Sequence, residues 1–127
     1  MLPSTPLPDI LINSDDYNRL LLLAEQAEPA MPYVAAYLER ELNRADLCQP
    51  WDRAGVSMGD RVFFNHDDEP TQRLGRLVYP NRARPEKGNI PILSALGAAL
   101  IGMHRGQSID WLDGGRLRRL TVRDYGW

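Results

Sequence analysis

The sequence predicts an α+β fold: a short N-terminal antiparallel helical hairpin (coiled coil), followed by a small, mostly antiparallel sheet carrying one short helix. Three observations carry this expectation. Between Asp15 and Ala45 apolar residues recur at helical spacing in two stretches, separated by Glu28-Pro29-Ala30-Met31-Pro32. From Arg61 onward the pattern changes to short apolar runs closed by turn residues. Finally, 127 residues with 43% hydrophobic and 25% charged side chains make one ordinary domain, or a small domain with an appendage, with enough chain to bury a core.

Pro3, Pro6 and Pro8 mark an extended arm, because proline lacks a backbone donor and restricts the residue before it. The β-branched-rich run Ile10-Leu11-Ile12 ends at Asn13 and Ser14, both good helix caps. Tyr17, Leu20, Leu21, Ala24 and Ala27 form the stripe of a first helix, with Asp15 and Asp16 at the positive end of its dipole. A second helix starts at Pro32, a residue tolerated in a first turn. Its stripe is Val34, Tyr37, Leu38, Leu42 and Ala45, with Glu39, Arg40, Glu41, Asn43 and Arg44 assigned to the other faces. Each helix is expected to run about 12–15 residues, or about 20 Å. Strands follow at Arg61–Phe64 and Leu74–Tyr79, with a polar loop at 66–70 and a charged loop at 82–89. Ser94 caps a short helix through 95–101, ended by Gly102. Ser108–Leu112 and Leu117–Tyr125 make a hairpin around Asp113-Gly114-Gly115. The domain division expected is residues 1–49, arm and hairpin, and residues 50–127, the sheet domain.

The net charge of −2 excludes a strongly basic nucleic-acid binder, but it hides a split. Residues 1–46 carry three arginines against eight acids, a balance of −5, and residues 47–127 carry twelve basic residues against nine acids, a balance of +3. Lys87 is the only lysine, an arginine bias ascribed to genomic composition. No apolar run approaches the ~20 residues of a membrane span, and no signal-peptide pattern opens the chain. A cytoplasmic location is expected, with no membrane contact.

Catalytic chemistry finds little support. Cys48 is the only cysteine, so an internal disulfide and multi-cysteine metal sites are excluded, and an inert thiol is expected. Neither His66 nor His104 has companions at metal-ligand spacing, and solvent-exposed structural roles are expected for both. Glycines occur in turns and in an apolar helix, not in a phosphate loop. Glu25 and Glu28, spaced i, i+3 at the far end of the hairpin, could share a divalent cation with another site's ligands. A solvated turn is the favoured reading. No catalytic residue, metal or cofactor is expected, and the chain is expected not to be an enzyme.

Ile90 to Gly102, followed by Gly106 and Ile109, resembles the signature of the Gre transcription elongation factors. Three further segments resemble one branch of that superfamily, the regulators of nucleoside diphosphate kinase (Rnk): Leu77-Val78-Tyr79-Pro80, Glu41-Leu42-Asn43-Arg44-Ala45, and Gly106-Gln107-Ser108-Ile109-Asp110-Trp111. The resemblance runs from Ile10 to Tyr125. Pro91 and Ala95 depart from it, standing where the family usually has serine and proline.

The resemblance implies an FKBP-like C-terminal domain that docks on the rim of the secondary channel of bacterial RNA polymerase, with the hairpin pointing inward. On this basis Arg82, Arg84, Asn89, Ser94 and Leu96 are expected to form the docking surface; a capped helix and a solvated loop are the plain alternative. In long-hairpin Gre factors, acidic tip residues help to position Mg²⁺ for cleavage of backtracked RNA. A hairpin of about 20 Å has roughly half that reach, so binding without cleavage stimulation is expected. Two alternatives remain: a cleavage factor using Glu25 and Glu28, and a regulator of nucleoside diphosphate kinase levels. The positive remainder suits a polymerase rim or nearby nucleic acid. Tyr125 and Trp127 are expected to complete a core rather than an interface, leaving a monomer.

Overall fold

The computed structural model describes residues 7–82, 84 and 88–126. The first six residues of the predicted arm, part of the predicted charged loop and Trp127 lie outside them. The element order is β1 (Leu11–Asn13), α1 (Ser14–Ala27), α2 (Pro32–Arg44), β2 (Asp46–Cys48), β3 (Arg61–His66), β4 (Arg73–Val78), a 3₁₀ turn (Pro80–Arg82), β5 (Asn89–Pro91), α3 (Ala95–Leu100), β6 (Ser108–Asp113) and β7 (Arg116–Gly126). The α+β expectation holds. The main sheet has the order β5-β4-β3-β7-β6, antiparallel except for the β4–β5 pair. A bulge between Phe63 and Phe64 shifts the register of β3 against β7.

The helices begin and end as their sequences dictate. Asn13 caps α1: its Oδ1 accepts from the Asp16 N–H at 2.8 Å, satisfying one of the orphan donors of a helix start. The turn after α1 closes through the N–H groups of Ala30 and Met31, both donating to the Ala27 carbonyl. Pro32 then opens α2. The helices have 14 and 13 residues, as expected, and about 1.5 Å per residue makes the hairpin about 20 Å long.

The core is a single cluster to which hairpin and sheet both contribute. Leu20 and Ala24 of α1 and Leu38 and Leu42 of α2 are buried with Phe64, Leu77, Ile92, Leu100, Ile109, Trp111, Leu120 and Val122. The hairpin base is also stitched to the chain beyond it by the backbone. β1 pairs in parallel with β2, Leu11 N–H donates to the Gly102 carbonyl at 3.0 Å, and Gly55 N–H donates to the Leu11 carbonyl at 3.0 Å. α3 packs closely on β5 because Gly97 faces it: a Cβ there would lie 2.2 Å from the Pro91 carbonyl oxygen.

Several local expectations require correction. Glu41 is buried rather than on a solvated face of α2, where it forms a two-bond ion pair with Arg44 at 2.8 and 3.1 Å. That guanidinium also donates to the Pro8 carbonyl, which lets a buried carboxylate anchor the incoming chain. Ala35 replaces Val34 on the buried stripe. His66 is not solvent-exposed. It continues the inward parity of Val62 and Phe64 as the last residue of β3, stacks on Trp111 with ring centroids 5.6 Å apart, and meets Phe64 edge-on at 5.7 Å. His104 is half-buried, with Nδ1 3.4 Å from the Tyr125 hydroxyl. Tyr125 packs against the core, as expected.

Candidate functional site

Arg82 ends the 3₁₀ turn that follows β4, with its side chain exposed. Asn89, the first residue of β5, donates from Nδ2 to the Arg82 carbonyl at 3.1 Å, closing the base of the intervening loop. The parallel register of β4 and β5 sets Asn89 opposite Arg76. Together Arg82, Arg84 and Asn89 line a surface cleft of about 630 Å³ whose opposite wall is α1. That wall supplies Asp16 and Arg19; the sheet side supplies Arg76, Tyr79 and Asn81.

The cleft has an ordered polar lining. The Arg19 guanidinium lies 4.6 Å from the centre of the Tyr79 ring, a cation–π contact between α1 and the end of β4. Arg76 Nη1 donates to the Gly59 carbonyl at 2.6 Å. The Asp16 carboxylate accepts from Met58 N–H at 3.0 Å and from Asn13 Nδ2 at 3.1 Å. Burial pushes the Asp16 carboxyl above its ordinary range, against the pull of those bonds and of Arg19. Asp60 is raised in the same way, by burial and by the nearby Asp16 charge.

Ser94 and Leu96 do not line this cleft. Ser94 is the cap of α3: its Oγ accepts from Gly97 N–H at 3.0 Å and donates to the Pro91 carbonyl at 2.6 Å. Leu96 is half-buried and packs against the core. Glu25 and Glu28 are exposed at the far end of α1, as the hairpin reading expects, and beside them Met31 and Tyr33 are exposed too, Tyr33 to 90%. Among the described residues no three His, Cys, Asp or Glu side chains are grouped to hold a metal ion. Burial and the Asp52 charge raise the Cys48 thiol, which keeps it protonated and a poor nucleophile.

Sequence reasoning missed Arg19, Asp16, Arg76 and Tyr79 as cleft residues. Tyr79 was visible in the Leu-Val-Tyr-Pro segment, but the first helix and the end of the second strand are some sixty residues apart. Only the packing of α1 against the sheet unites them.

This fold is shared with solved structures of the Gre transcription factors. A GreA/GreB structure from Nitrosomonas europaea superposes with a TM-score of 0.73 at 31% identity, covering 94% of this chain and 99% of the other. The GreA factor homolog 1 of Thermus thermophilus shares the fold, with a TM-score of 0.50 at 14% identity, 94% of this chain and 100% of the other. Within this superfamily the sequence is more specific. Residues 8–47 match the family model described as the Rnk N-terminus. A protein of Escherichia coli strain K12 named regulator of nucleoside diphosphate kinase is 36% identical over 118 residues, which is 91% of this chain and 87% of that protein. The chain belongs to the Rnk family. A transcription elongation factor GreA of Ruegeria pomeroyi is 32% identical over 74 residues, 58% of this chain and 47% of that protein. No helix among the described residues is long and apolar enough to cross a membrane.

Proposed function

We propose that this chain is a regulator of transcription elongation that binds bacterial RNA polymerase at the rim of its secondary channel and does not stimulate transcript cleavage. The observation that carries this reading is a hairpin of only 14- and 13-residue helices on an otherwise Gre-like fold. At about 1.5 Å per residue the exposed Glu25 and Glu28 stand about 20 Å from the hairpin base, half the reach the Gre resemblance associates with a cleavage-competent tip. Residues 1–49 enter the channel and residues 50–127 dock, with Arg82, Arg84 and Asn89 on the docking face. Ser94 and Leu96 serve that face by holding α3 in place. The chain acts as a cytoplasmic monomer, without cofactor and without catalysis of its own, at a site close to nucleic acid.

The test is capture of core RNA polymerase by the purified chain, with competition by a Gre factor. Binding and mutual displacement are expected. Absence of both sinks the proposal. Added to backtracked elongation complexes, the chain is expected to release no short 3′ RNA fragments. Release that disappears in a Glu25→Ala, Glu28→Ala variant would replace this reading with that of a cleavage factor.

The name carried by the Escherichia coli relative favours a second, compatible reading: control of nucleoside diphosphate kinase levels through transcription. Loss of the chain from cells should then change the kinase messenger RNA and the kinase protein together. A change in purified kinase activity on addition of the purified chain would instead mark a direct contact.

A further inference from the structure

We propose that the cleft between α1 and the β4–β5 edge is a binding site for a small polyphosphate-bearing anion, such as a nucleoside di- or triphosphate, recognised through its phosphates rather than its base. The inference stands apart from the polymerase reading and concerns the isolated chain.

Four arginines, Arg19, Arg76, Arg82 and Arg84, converge on the cleft from two walls that are distant in sequence. Among the described lining residues the only acid is Asp16, and that carboxylate already accepts from the Met58 backbone and from Asn13. The guanidiniums of Arg82 and Arg84 have no hydrogen-bond or ion-pair partner among the described residues, and both side chains are exposed. Arg44, Arg73, Arg105, Arg116, Arg118 and Arg119, by contrast, pair with acids. Guanidinium groups concentrated in this way, two of them without an acid partner among the described residues, suit planar, bidentate phosphate recognition. The volume of about 630 Å³ lies inside the range of small-molecule sites.

The chemistry of the walls narrows the ligand further. The one aromatic ring among the described lining residues, Tyr79, is already covered by Arg19 on one face, so stacking of a base is disfavoured. Met58, Leu77 and Val78 complete the lining, Leu77 and Val78 with little exposed surface. Asn81 and Asn89 add neutral polar groups at the rim. Charge count, not base identity, therefore sets affinity, and binding weakens with salt.

Calorimetric titration of the purified full chain tests this with phosphate, pyrophosphate, tripolyphosphate, ADP and GDP. Affinity should rise along the first three, and ADP and GDP should bind alike, close to pyrophosphate. Arg82→Ser and Arg19→Ser should each weaken tripolyphosphate binding by about tenfold. Arg40→Ser, on the exposed face of α2 and outside the cleft, should leave it unchanged, and circular dichroism should show all three variants folded. No saturable binding at millimolar tripolyphosphate overturns the proposal, as does binding that survives both cleft substitutions. A tetraglutamate peptide binding as well as tripolyphosphate also overturns it, since the surface would then read carboxylates. A single-stranded oligonucleotide that depends on Arg82 and Arg19 and binds better than the nucleotides would support the phosphate site and assign its source to nucleic acid.

Discussion

Ser94 separates a structural role from a docking role, and replacing it with alanine measures which one it has. Its hydroxyl makes two hydrogen bonds, accepting from Gly97 N–H at 3.0 Å and donating to the Pro91 carbonyl at 2.6 Å. The helix it starts, α3, is only six residues long, yet it contributes the buried Ala98, Ala99 and Leu100 to the core. Removing a serine N-cap costs about 1 kcal/mol, within a range of about 0.5–2. The lost bond to Pro91 places this site toward the upper half of that range. An unfolding entropy of about 2.1 cal/mol/K per residue over 127 residues converts each kcal/mol into about 4 °C of melting temperature. Ser94→Ala should therefore melt about 4–8 °C below the parent, and Ser94→Thr, which keeps an acceptor and a donor, should recover most of the loss. Polymerase capture measured well below both melting temperatures should be unchanged. A Ser94→Ala protein that melts within 1 °C of the parent but no longer captures polymerase would refute the capping argument.

Two further outcomes follow from buried charge and buried imidazole. Glu41→Gln leaves Arg44 beside a neutral amide in a site where Glu41 is 4% and Arg44 21% exposed, so a loss of about 2 kcal/mol in urea unfolding is expected, below the 3–5 of a fully buried pair. For His66, burial first and then the Arg118 and Arg73 charges hold the imidazole below its ordinary range, outweighing Glu69 and Asp68. The folded chain thus binds this proton less readily than the unfolded chain. The resulting stability is complete above the unfolded value of about 6.5 and is lost as pH falls toward the folded one. Melting temperatures taken from pH 7.5 to 5.5 should decline in the parent, with a shallower decline in His66→Phe; equal slopes would contradict the assignment.

The parts of the fold that were legible were those whose information is local. The hairpin announced itself through period, caps and Pro32, and the β6–β7 turn through Asp113-Gly114-Gly115. What was hidden depends on pairing between distant segments. β2 is three residues, Asp46-Leu47-Cys48, with Leu47 half exposed, and nothing in its sequence predicts a parallel partner at Leu11–Asn13. β5 ends on Pro91, tolerable only because it lies on the sheet edge. Glu41 read as a surface acid because polarity was given precedence over position; yet it lies three residues after Leu38 on the same buried stripe. His66 read as loop because of the acids that follow it, although two-residue alternation from Val62 and Phe64 already pointed it inward. Three of the five expected docking residues, Arg82, Arg84 and Asn89, do come together. Their partners on α1 could not be read at all without the packing of the hairpin.

The same packing gives the charge split a spatial meaning. Of the eight acids in residues 1–46, Glu41 is paired inside the molecule and Asp16 is tied to Met58 N–H, so neither contributes freely to the surface. Glu39 is half-buried on α2, and Asp9, Asp15, Glu25, Glu28 and Asp46 remain exposed on or beside the hairpin, with Glu25 and Glu28 at its far end. Arg82 and Arg84, without an acid partner among the described residues, sit instead near its base, in the cleft beside α1. Because Leu20, Ala24, Leu38 and Leu42 share one core with the sheet, these two poles are held at a fixed separation rather than at the ends of a hinge. A rigid dipole of this kind orients as it approaches a charged surface; in the docking proposed above, the acidic end would lead and the arginine cleft would stay at the rim. That geometry asks the tip to supply charge and shape, and neither demands a metal held by the tip.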